Sequence, residues 1–196
     1  MTRQLTARGQ ERREQLMAYA TGRFAGQGYH PTSVSEIVNG LGVGKGVFYW
    51  YFESKEALFR EILVDAQTRL RRHQRRAIAD EDDPLRRIEK GIRASLAWWA
   101  EHPELAQLQQ FAATDERFLP LVRQGEQTAI GDVVGHLEDA IARGQIAPAD
   151  PELLATAVLG ASSRLARTYV VERHGPPEEV ADACVSFCLR GVVGAR

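Results

Sequence analysis

Hydrophobic residues recur with the period of an α-helix from near the start of the chain. Leu16, Ala20 and Phe24 lie four residues apart and form one apolar stripe. This spacing predicts a first helix, which we expect to end at the glycines Gly26 and Gly28. Because such a helix is apolar on one side, it must pack that side against other elements.

A second and a third helix are predicted next, joined by a short glycine link. Ser33 and Glu36 fit a capping box, in which each side chain satisfies a free backbone amide at the helix start. Gly42 is expected to end the second helix, and the link from Gly42 to Gly44 is short enough for a tight turn. A third helix is predicted from about Lys45. The apolar face of the second helix holds Val34, Ile37, Val38 and Leu41.

The fourth predicted helix is long and leads into an acidic loop. Ser54 fits its N-cap position, and the helix is expected to continue past Leu70 into a basic run. In the loop at 80–84, Asp83 can cap and Pro84 can open the following helix. We expect a domain boundary in or near this loop. The apolar stripe of the fourth helix comprises Leu58, Phe59, Ile62 and Leu63.

Five further helices are indicated beyond the acidic loop. Pro103, Gly144 and the pair Pro176–Pro177 separate them, because these residues break or end helices. No alternation typical of β-strands stands out, so the sequence predicts an all-α protein of about nine helices. The five predicted helices lie at about 84–101, 104–113, 117–143, 151–173 and 177–193.

Five consecutive aromatic residues, 48–52, stand in the predicted third helix. At about 100° per residue they divide between two faces. The apolar face holds Val47, Phe48, Tyr51 and Phe52. The opposite face holds Lys45, Gly46, Tyr49 and Trp50. A three-helix unit cannot bury both faces, so we expect the second face to be exposed or to be covered by a partner.

Geometry leaves two interpretations of this second face. Tyr49 and Trp50 could pack against the remainder of the chain. Alternatively the face contacts nucleic acid, because Lys45 lies one turn from Tyr49 and a cation beside a phenol suits phosphate. Gly46 would allow the helix to approach another surface closely. A helix–turn–helix unit also favours DNA, since it lays its second helix in the major groove.

The charge distribution favours contact with a polyanion. Residues 1–79 carry 13 Lys and Arg against 7 Asp and Glu, whereas residues 80–196 carry 12 against 19. No apolar run approaches the ~18 residues of a membrane span, and the polar N-terminus does not fit a secretory signal. Two cysteines do not suggest a disulfide scaffold, so we expect a reducing, cytoplasmic location.

The stretch from Thr32 to Leu63, TSVSEIVNGLGVGKGVFYWYFESKEALFREIL, resembles the DNA-binding domain of the TetR family of bacterial transcriptional regulators. The resemblance covers roughly residues 12–63 and includes Gly-Tyr, Thr-Ser-Val, Gly-Val-x-Lys-Gly and Ser-Lys-Glu-Ala-Leu. It departs at Gly44, where many members have Ser or Thr, and at Trp50, where histidine is frequent.

The resemblance implies that the chain consists of three parts. They are a helix–turn–helix DNA-binding domain over 1–53, a linking fourth helix over 54–80, and a helical effector-binding and dimerisation domain over 81–196. It further implies a homodimer that binds a palindromic double-stranded DNA operator. The regulator is expected to be a repressor rather than an activator, and a small molecule is expected to release it from the operator.

The resemblance also implies which residues contact DNA. Tyr49 resembles a common phosphate-contacting tyrosine, and Lys55 would suit phosphate beside the free amides of the fourth helix, or it is a solvated surface lysine. Two alternatives remain open for the N-terminal arginines: they form an arm that contacts the DNA, or they belong to a disordered tail. These arginines are Arg3, Arg8, Arg12 and Arg13. The implied DNA-binding residues are Thr32, Ser33, Lys45, Gly46, Tyr49, Trp50 and Lys55.

The aromatic and apolar residues of the C-terminal part have two possible interpretations: they line a cavity for a small molecule, or they form an ordinary packed core. Arg164 and Arg167 could orient an acidic ligand or pair across the dimer. The remaining candidates for ligand binding are Trp98, Trp99, Phe111, Phe118, Leu121 and Tyr169. The resemblance implies dimerisation through the last two helices, for which suitable residues are Leu154, Val158, Ala161, Val185 and Val192.

Other chemistry finds little support in the sequence. Cys184 and Cys188 share a helix face and could bind zinc with His174 or a dimer partner, or simply pack in the core. No HExxH motif, phosphate-binding glycine loop or nucleophile elbow occurs, so we expect no cofactor, metal or catalytic set. An all-α enzyme and a protein-interaction module that docks through the aromatic face are the alternative functions.

Overall fold

A computed structural model describes residues 6–194 of the chain, with side chains to residue 192. This part of the chain consists of helices and their connections and contains no strand, which confirms the all-α prediction. The nine α-helices are α1 Ala7–Gln27, α2 Val34–Gly40, α3 Lys45–Tyr51, α4 Lys55–Ala77, α5 Pro84–Glu101, α6 Pro103–Ala112, α7 Leu119–Ala142, α8 Pro151–Leu165 and α9 Pro177–Gly194.

Helix α8 does not end as an α-helix but continues as a π-helix over Ala166–Glu172. The sequence pattern predicts one regular helix over 151–173, so the change of helix type is a departure from the prediction. Short π-helical turns are rare and often occur at functional sites.

The predicted caps are present at the helix starts. Ser33 Oγ accepts a hydrogen bond from the Glu36 amide at 3.2 Å, and Glu36 Oε2 accepts one from the Ser33 amide at 2.7 Å. Ser54 caps α4 in the same way. One prediction is wrong, because α1 runs through Gly26 and ends only before Gly28, whose φ of +91° an L side chain rarely adopts.

The turn between α2 and α3 depends on a glycine. Gly42 has a φ of +64°, in the left-handed region that favours glycine. This conformation brings the chain back so that the Val43 amide donates to the Val38 carbonyl at 2.9 Å. Helices α2 and α3 therefore meet closely as a helix–turn–helix pair.

Two apolar cores hold the helices together. The first joins α1 to α4 with buried residues from later helices, among them Trp98, Leu105, Leu108 and Phe118. The second joins α5, α7, α8 and α9. Because the first core takes residues from both halves of the chain, the N-terminal helices are packed directly on α5, α6 and α7.

The residues expected at a dimer interface instead contribute to the chain's own second core. Val158, Val185 and Val192 are buried in it, and Leu154 and Ala161 pack against it. The three buried valines are therefore not accessible to a partner, which corrects their assignment to the interface, whereas for the partly buried Leu154 and Ala161 it stays a prediction.

The outward surface of α8 and α9 carries different apolar residues. Leu153 is 67% exposed and Phe187 is 73% exposed. Within residues 6–194, no helix is both long enough and apolar enough to cross a membrane.

Candidate nucleic-acid interface and ligand cavity

Helix α3 separates its aromatic residues between core and surface. Phe48 and Phe52 are buried in the first core, whereas Tyr49 is 55% exposed and Trp50 is 51% exposed. The prediction that the second face lies at the surface is therefore confirmed. Trp50 packs edge-on against the neighbouring Tyr51, with ring centroids 4.6 Å apart.

The rest of this face is small and positively charged. Lys45, at the start of α3, is exposed. A Cβ added at Gly46 would meet no heavy atom within 4 Å, so the backbone of α3 is open on this side. The N-cap residue Gly44 offers no side-chain hydrogen bond to the first amides of α3. Together these features form a surface with one cation, an accessible backbone and two aromatic rings.

Two of the predicted DNA-binding residues differ in how they are placed before α2. Ser33 is exposed and its side chain closes the capping box. Thr32 is fully buried, and its hydroxyl donates to the Gly28 carbonyl at 2.8 Å. In this conformation the Thr32 hydroxyl supports the loop after α1, and no part of the residue is accessible, so the DNA contact implied for Thr32 stays a prediction.

The ammonium of Lys55 is bound by the loop between α1 and α2. Its Nζ donates to the carbonyls of Tyr29 at 2.8 Å, His30 at 3.3 Å and Thr32 at 2.8 Å. It also lies 4.4 Å from the centroid of the Tyr29 ring. An ammonium has three hydrogens to donate, and three carbonyls accept them here. Lys55 is thus a tether for this loop, while the phosphate contact expected of it stays a prediction.

The arginines near the N-terminus are part of α1. Arg8, Arg12 and Arg13 follow the N-cap residue Thr6, so they form neither an extended arm nor a tail. Arg13 is paired with Glu61 of α4. Arg3 lies outside the described residues.

An aromatic cluster connects the N-terminal helices to α6. Tyr29 is stacked on Phe111 with ring centroids 5.3 Å apart, and it meets Phe118 edge-on at 5.3 Å and Phe59 at 4.8 Å. Phe111 and Phe118, which the sequence suggested for a ligand cavity, therefore belong to this contact. Sequence reasoning missed Tyr29, whose only signal is its position in the Gly-Tyr pair of the family pattern.

Charged groups surround the Tyr29 ring. The guanidinium of Arg117 lies 5.2 Å from its centroid and is held by Asp115 through bonds of 2.9 and 2.7 Å. This pairing lowers the pKa of Asp115 to about 2. Burial, more than the neighbouring charges, raises the pKa of Tyr29. For Lys55, burial first and then the positive charge of Arg117 lower the pKa.

A cavity of about 280 Å³ opens between α5, α6, α7, α8 and the π-helix. A second cavity of about 300 Å³ adjoins it, and Trp99 lines both. Arg164 and Arg167 line the first cavity and Leu121 the second. Further residues of the first cavity are Ala106, Gln109, Gln110, Ala113, Val122, Glu126, Ser163, Ala166 and Val171.

Two other candidate ligand residues lie elsewhere. Trp98 is buried and stacks on His102, with ring centroids 4.3 Å apart and the planes at 15°. Tyr169 is 43% exposed, and the Arg173 guanidinium covers its ring at 4.6 Å. Cys184 and Cys188 are buried free thiols, and no group of three or more potential metal-ligating side chains occurs in the described ranges.

Comparison with known proteins agrees with this geometry. Residues 16–62 match the model of the family described as bacterial regulatory proteins, tetR family. The HTH-type transcriptional regulator YdgC of Bacillus subtilis is 24% identical over 197 aligned positions, which cover 96% of each chain. The HTH-type transcriptional regulator AcrR of Shigella flexneri is 39% identical over 62 residues, covering 32% of this chain and 29% of AcrR.

The fold is shared along nearly the whole length of a solved structure. The crystal structure of a TetR-family transcriptional regulator from Syntrophomonas wolfei superimposes with a TM-score of 0.83 at 22% identity, covering 95% of this chain and 97% of that one. The matched domain, the relatives and the shared fold lead to one conclusion: residues 16–62 form a helix–turn–helix domain of the tetR family of bacterial regulatory proteins, and the described chain has the fold of a TetR-family regulator.

Proposed function

We propose that this regulator binds a palindromic operator as a homodimer, acts as a repressor, and leaves the operator when a small molecule occupies its C-terminal part. The proposed division is a DNA-binding domain at 1–53, a linking helix at 54–80 and an effector and dimerisation domain at 81–196. The observation that carries the DNA-binding role is the outward face of α3, where Tyr49 and Trp50 are half exposed beside Lys45.

The side chains of this face have complementary roles in the proposal. Lys45 and Tyr49 contact phosphates, which sets the position of α3 but carries little sequence information. Trp50 faces the base edges and influences which sequences are preferred. The open backbone at Gly46 allows α3 to enter the major groove closely.

Residues before α2 complete the proposed contact surface. Ser33 approaches a phosphate at the start of α2, while the buried Thr32 supports the loop behind it. Lys55 acts mainly through position, because its hydrogen bonds hold the carbonyls of residues 29, 30 and 32. This tether sets the direction from which Ser33 meets the DNA.

One α3 reads too few bases for adequate specificity, which supports a dimer. Two copies would read half-sites about 34–36 Å apart, or a multiple of that distance. The exposed Leu153 on α8 and Phe187 on α9 support a dimer interface on this surface, because both helices present a large apolar side chain there that a second copy would bury.

Release by a ligand requires that occupation of the cavity changes the spacing of the two α3 helices. Helix α4 begins beside the DNA-binding face with Lys55 and lines the second cavity with Gln67 and Arg71. A ligand shifts the balance of two conformers only by its different affinity for each. Helix α4 is the proposed lever because it contacts both regions.

Selection of bound sequences from a random duplex pool tests the proposal. A palindrome with half-sites one or two helical turns apart is the expected result. Affinity for random duplex should also fall steeply as salt rises, because phosphate contacts release counterions. Binding that ignores salt, or a pool that yields no enriched sequence, would instead favour a protein-interaction module.

A further inference from the structure

The cavity between α5, α6, α7, α8 and the π-helix carries more positive than negative charge. Arg164 of α8 and Arg167 of the π-helix line it, together with Glu126 of α7. Arg164 is exposed and makes no ion pair or hydrogen bond with another residue of the described part. Its guanidinium is therefore available to a molecule in the cavity.

Arg167 has a donor without an acceptor. Its Nε is buried and makes no hydrogen bond. The nearest carboxylate, Glu172 Oε1, is 3.6 Å from this Nε, which is too far for a hydrogen bond. This donor is enclosed, but the Arg167 side chain as a whole is 41% exposed, so a ligand in the cavity reaches the accessible part of its guanidinium. The Thr168 hydroxyl beside it is also buried and without a hydrogen bond.

The π-helix places these groups at the cavity. Ala166, Arg167 and Val171 all line it. In an α-helix, residues five apart point about 140° away from each other, whereas the i→i+5 hydrogen bonds of a π-helix bring them onto one side. The unusual helix type thus exposes Arg167 and two apolar side chains to the same space.

Other residues of the lining suit a flat apolar group. Trp99 stands between the two adjoining cavities, and Val122 and Ala113 lie nearby in the lining. Each cavity alone is at or just below the smallest typical ligand pocket, about 300 Å³. Both together reach a volume that is common for small-molecule sites.

We infer that this cavity binds a small organic monocarboxylate with a flat apolar body. The carboxylate accepts hydrogen bonds from Arg167 and Arg164, and the apolar body lies against Trp99 and Val122. A single negative charge on the ligand is favoured, because Glu126 in the lining and Glu172 beside Arg167 would repel a second one. This inference names the ligand class of the proposed effector site and rests on that function.

Isothermal titration calorimetry on the full chain without DNA tests the ligand class. The probes are benzoate, 2-naphthoate and indole-3-acetate, each compared with its neutral primary amide. At least one acid should bind about tenfold or more tightly than its amide, as one charge-assisted hydrogen bond would provide. If no acid in the series binds better than its amide, the inference is wrong.

Variants assign the preference to the cavity. Arg167→Met should abolish the preference for acid over amide, and Arg164→Met, at an exposed position that leaves folding intact, should reduce it. Arg173→Met is the matched control, because Arg173 covers Tyr169 and is not among the residues that line either cavity. A preference that survives in both Arg167→Met and Arg164→Met would overturn the inference.

Gel shifts with the selected operator separate this inference from the proposed function. Acid binding that depends on Arg167 but leaves operator affinity unchanged would support the ligand class and refute release by ligand. Operator binding without any acid preference would leave DNA recognition standing and refute the ligand class.

Discussion

Lys55→Met should destabilise the protein while leaving the salt dependence of its DNA binding unchanged. The substitution keeps the length of the side chain but removes the ammonium that binds the carbonyls of Tyr29, His30 and Thr32. A hydrogen bond from a charged group contributes about 1.5–3 kcal/mol. Three such bonds do not add fully here, because the side chain is only half-buried and water can replace part of them.

The desolvation of Lys55 reduces the gain further, as its lowered pKa indicates. We therefore expect the free energy of unfolding to fall by about 2 kcal/mol. For a chain of this size, 1 kcal/mol corresponds to about 2–4 °C in Tm, so Tm should fall by about 4–8 °C.

Two measurements separate a tether from a phosphate ligand. Circular dichroism melting gives Tm, and fluorescence anisotropy with a random duplex at several salt concentrations gives the slope of log K against log salt. Lys45→Met is the matched control, because Lys45 is exposed on the same domain. It should leave Tm within about 1 °C and make the slope shallower by about 1.8, because each copy in the proposed dimer loses one phosphate contact, worth about 0.9.

The reasoning about Lys55 fails if the two variants behave alike. An unchanged Tm for Lys55→Met, together with a salt slope reduced as in Lys45→Met, would show that the ammonium faces phosphate instead of the loop carbonyls. A lower Tm with an unchanged slope is the result that the tether requires.

Three further predictions concern the DNA face, the dimer and the Tyr29 region. Tyr49→Ala should weaken binding to all duplexes without changing Tm, whereas Trp50→Ala should change the selected sequence; gel shifts showing no effect of either would contradict the assignment. Phe187→Ser should convert a dimer to a monomer in sedimentation, with operator affinity lowered at least tenfold; an unchanged mass would place the interface elsewhere. The pKa of Asp115 is lowered from 3.8 to about 2 in the folded state, so its stabilisation is present above pH 3.8 and lost as pH falls through 2. Asp115→Asn should therefore flatten the dependence of stability on pH in that interval, and an unchanged profile in urea melts would contradict it.

Local chemistry explains why the helices were predictable. The capping pair Ser33 and Glu36 and the aspartate–proline starts of α5 and α8 act within a few residues of the chain, so the sequence contains all the information they need. The exposure of Tyr49 and Trp50 was also predictable, because the helical period alone separates them from Phe48 and Phe52.

Contacts between distant residues were not predictable in the same way. The carbonyl partners of Lys55 lie 23 to 26 positions away along the chain, and a lysine near a helix start suggests a phosphate equally well. Phe111 has the same apolar character whether it lines a cavity or stacks on Tyr29. Val158 and Val185 are apolar whether they face the chain's own core or a partner's surface. The sequence pattern could therefore not distinguish these two environments.

One short helix, α6, borders both the proposed effector cavity and the N-terminal helices. On α6, Gln109 and Gln110 line the cavity, and Phe111, the next residue, stacks on Tyr29. The Tyr29 carbonyl is in turn held by Lys55 at the start of α4. Packed rings resist small changes in their spacing. A shift of α6 towards a molecule in the cavity would therefore move the loop before α2. The proposed release by a ligand could therefore act through α6, where adjacent residues contact the cavity and the Tyr29 ring.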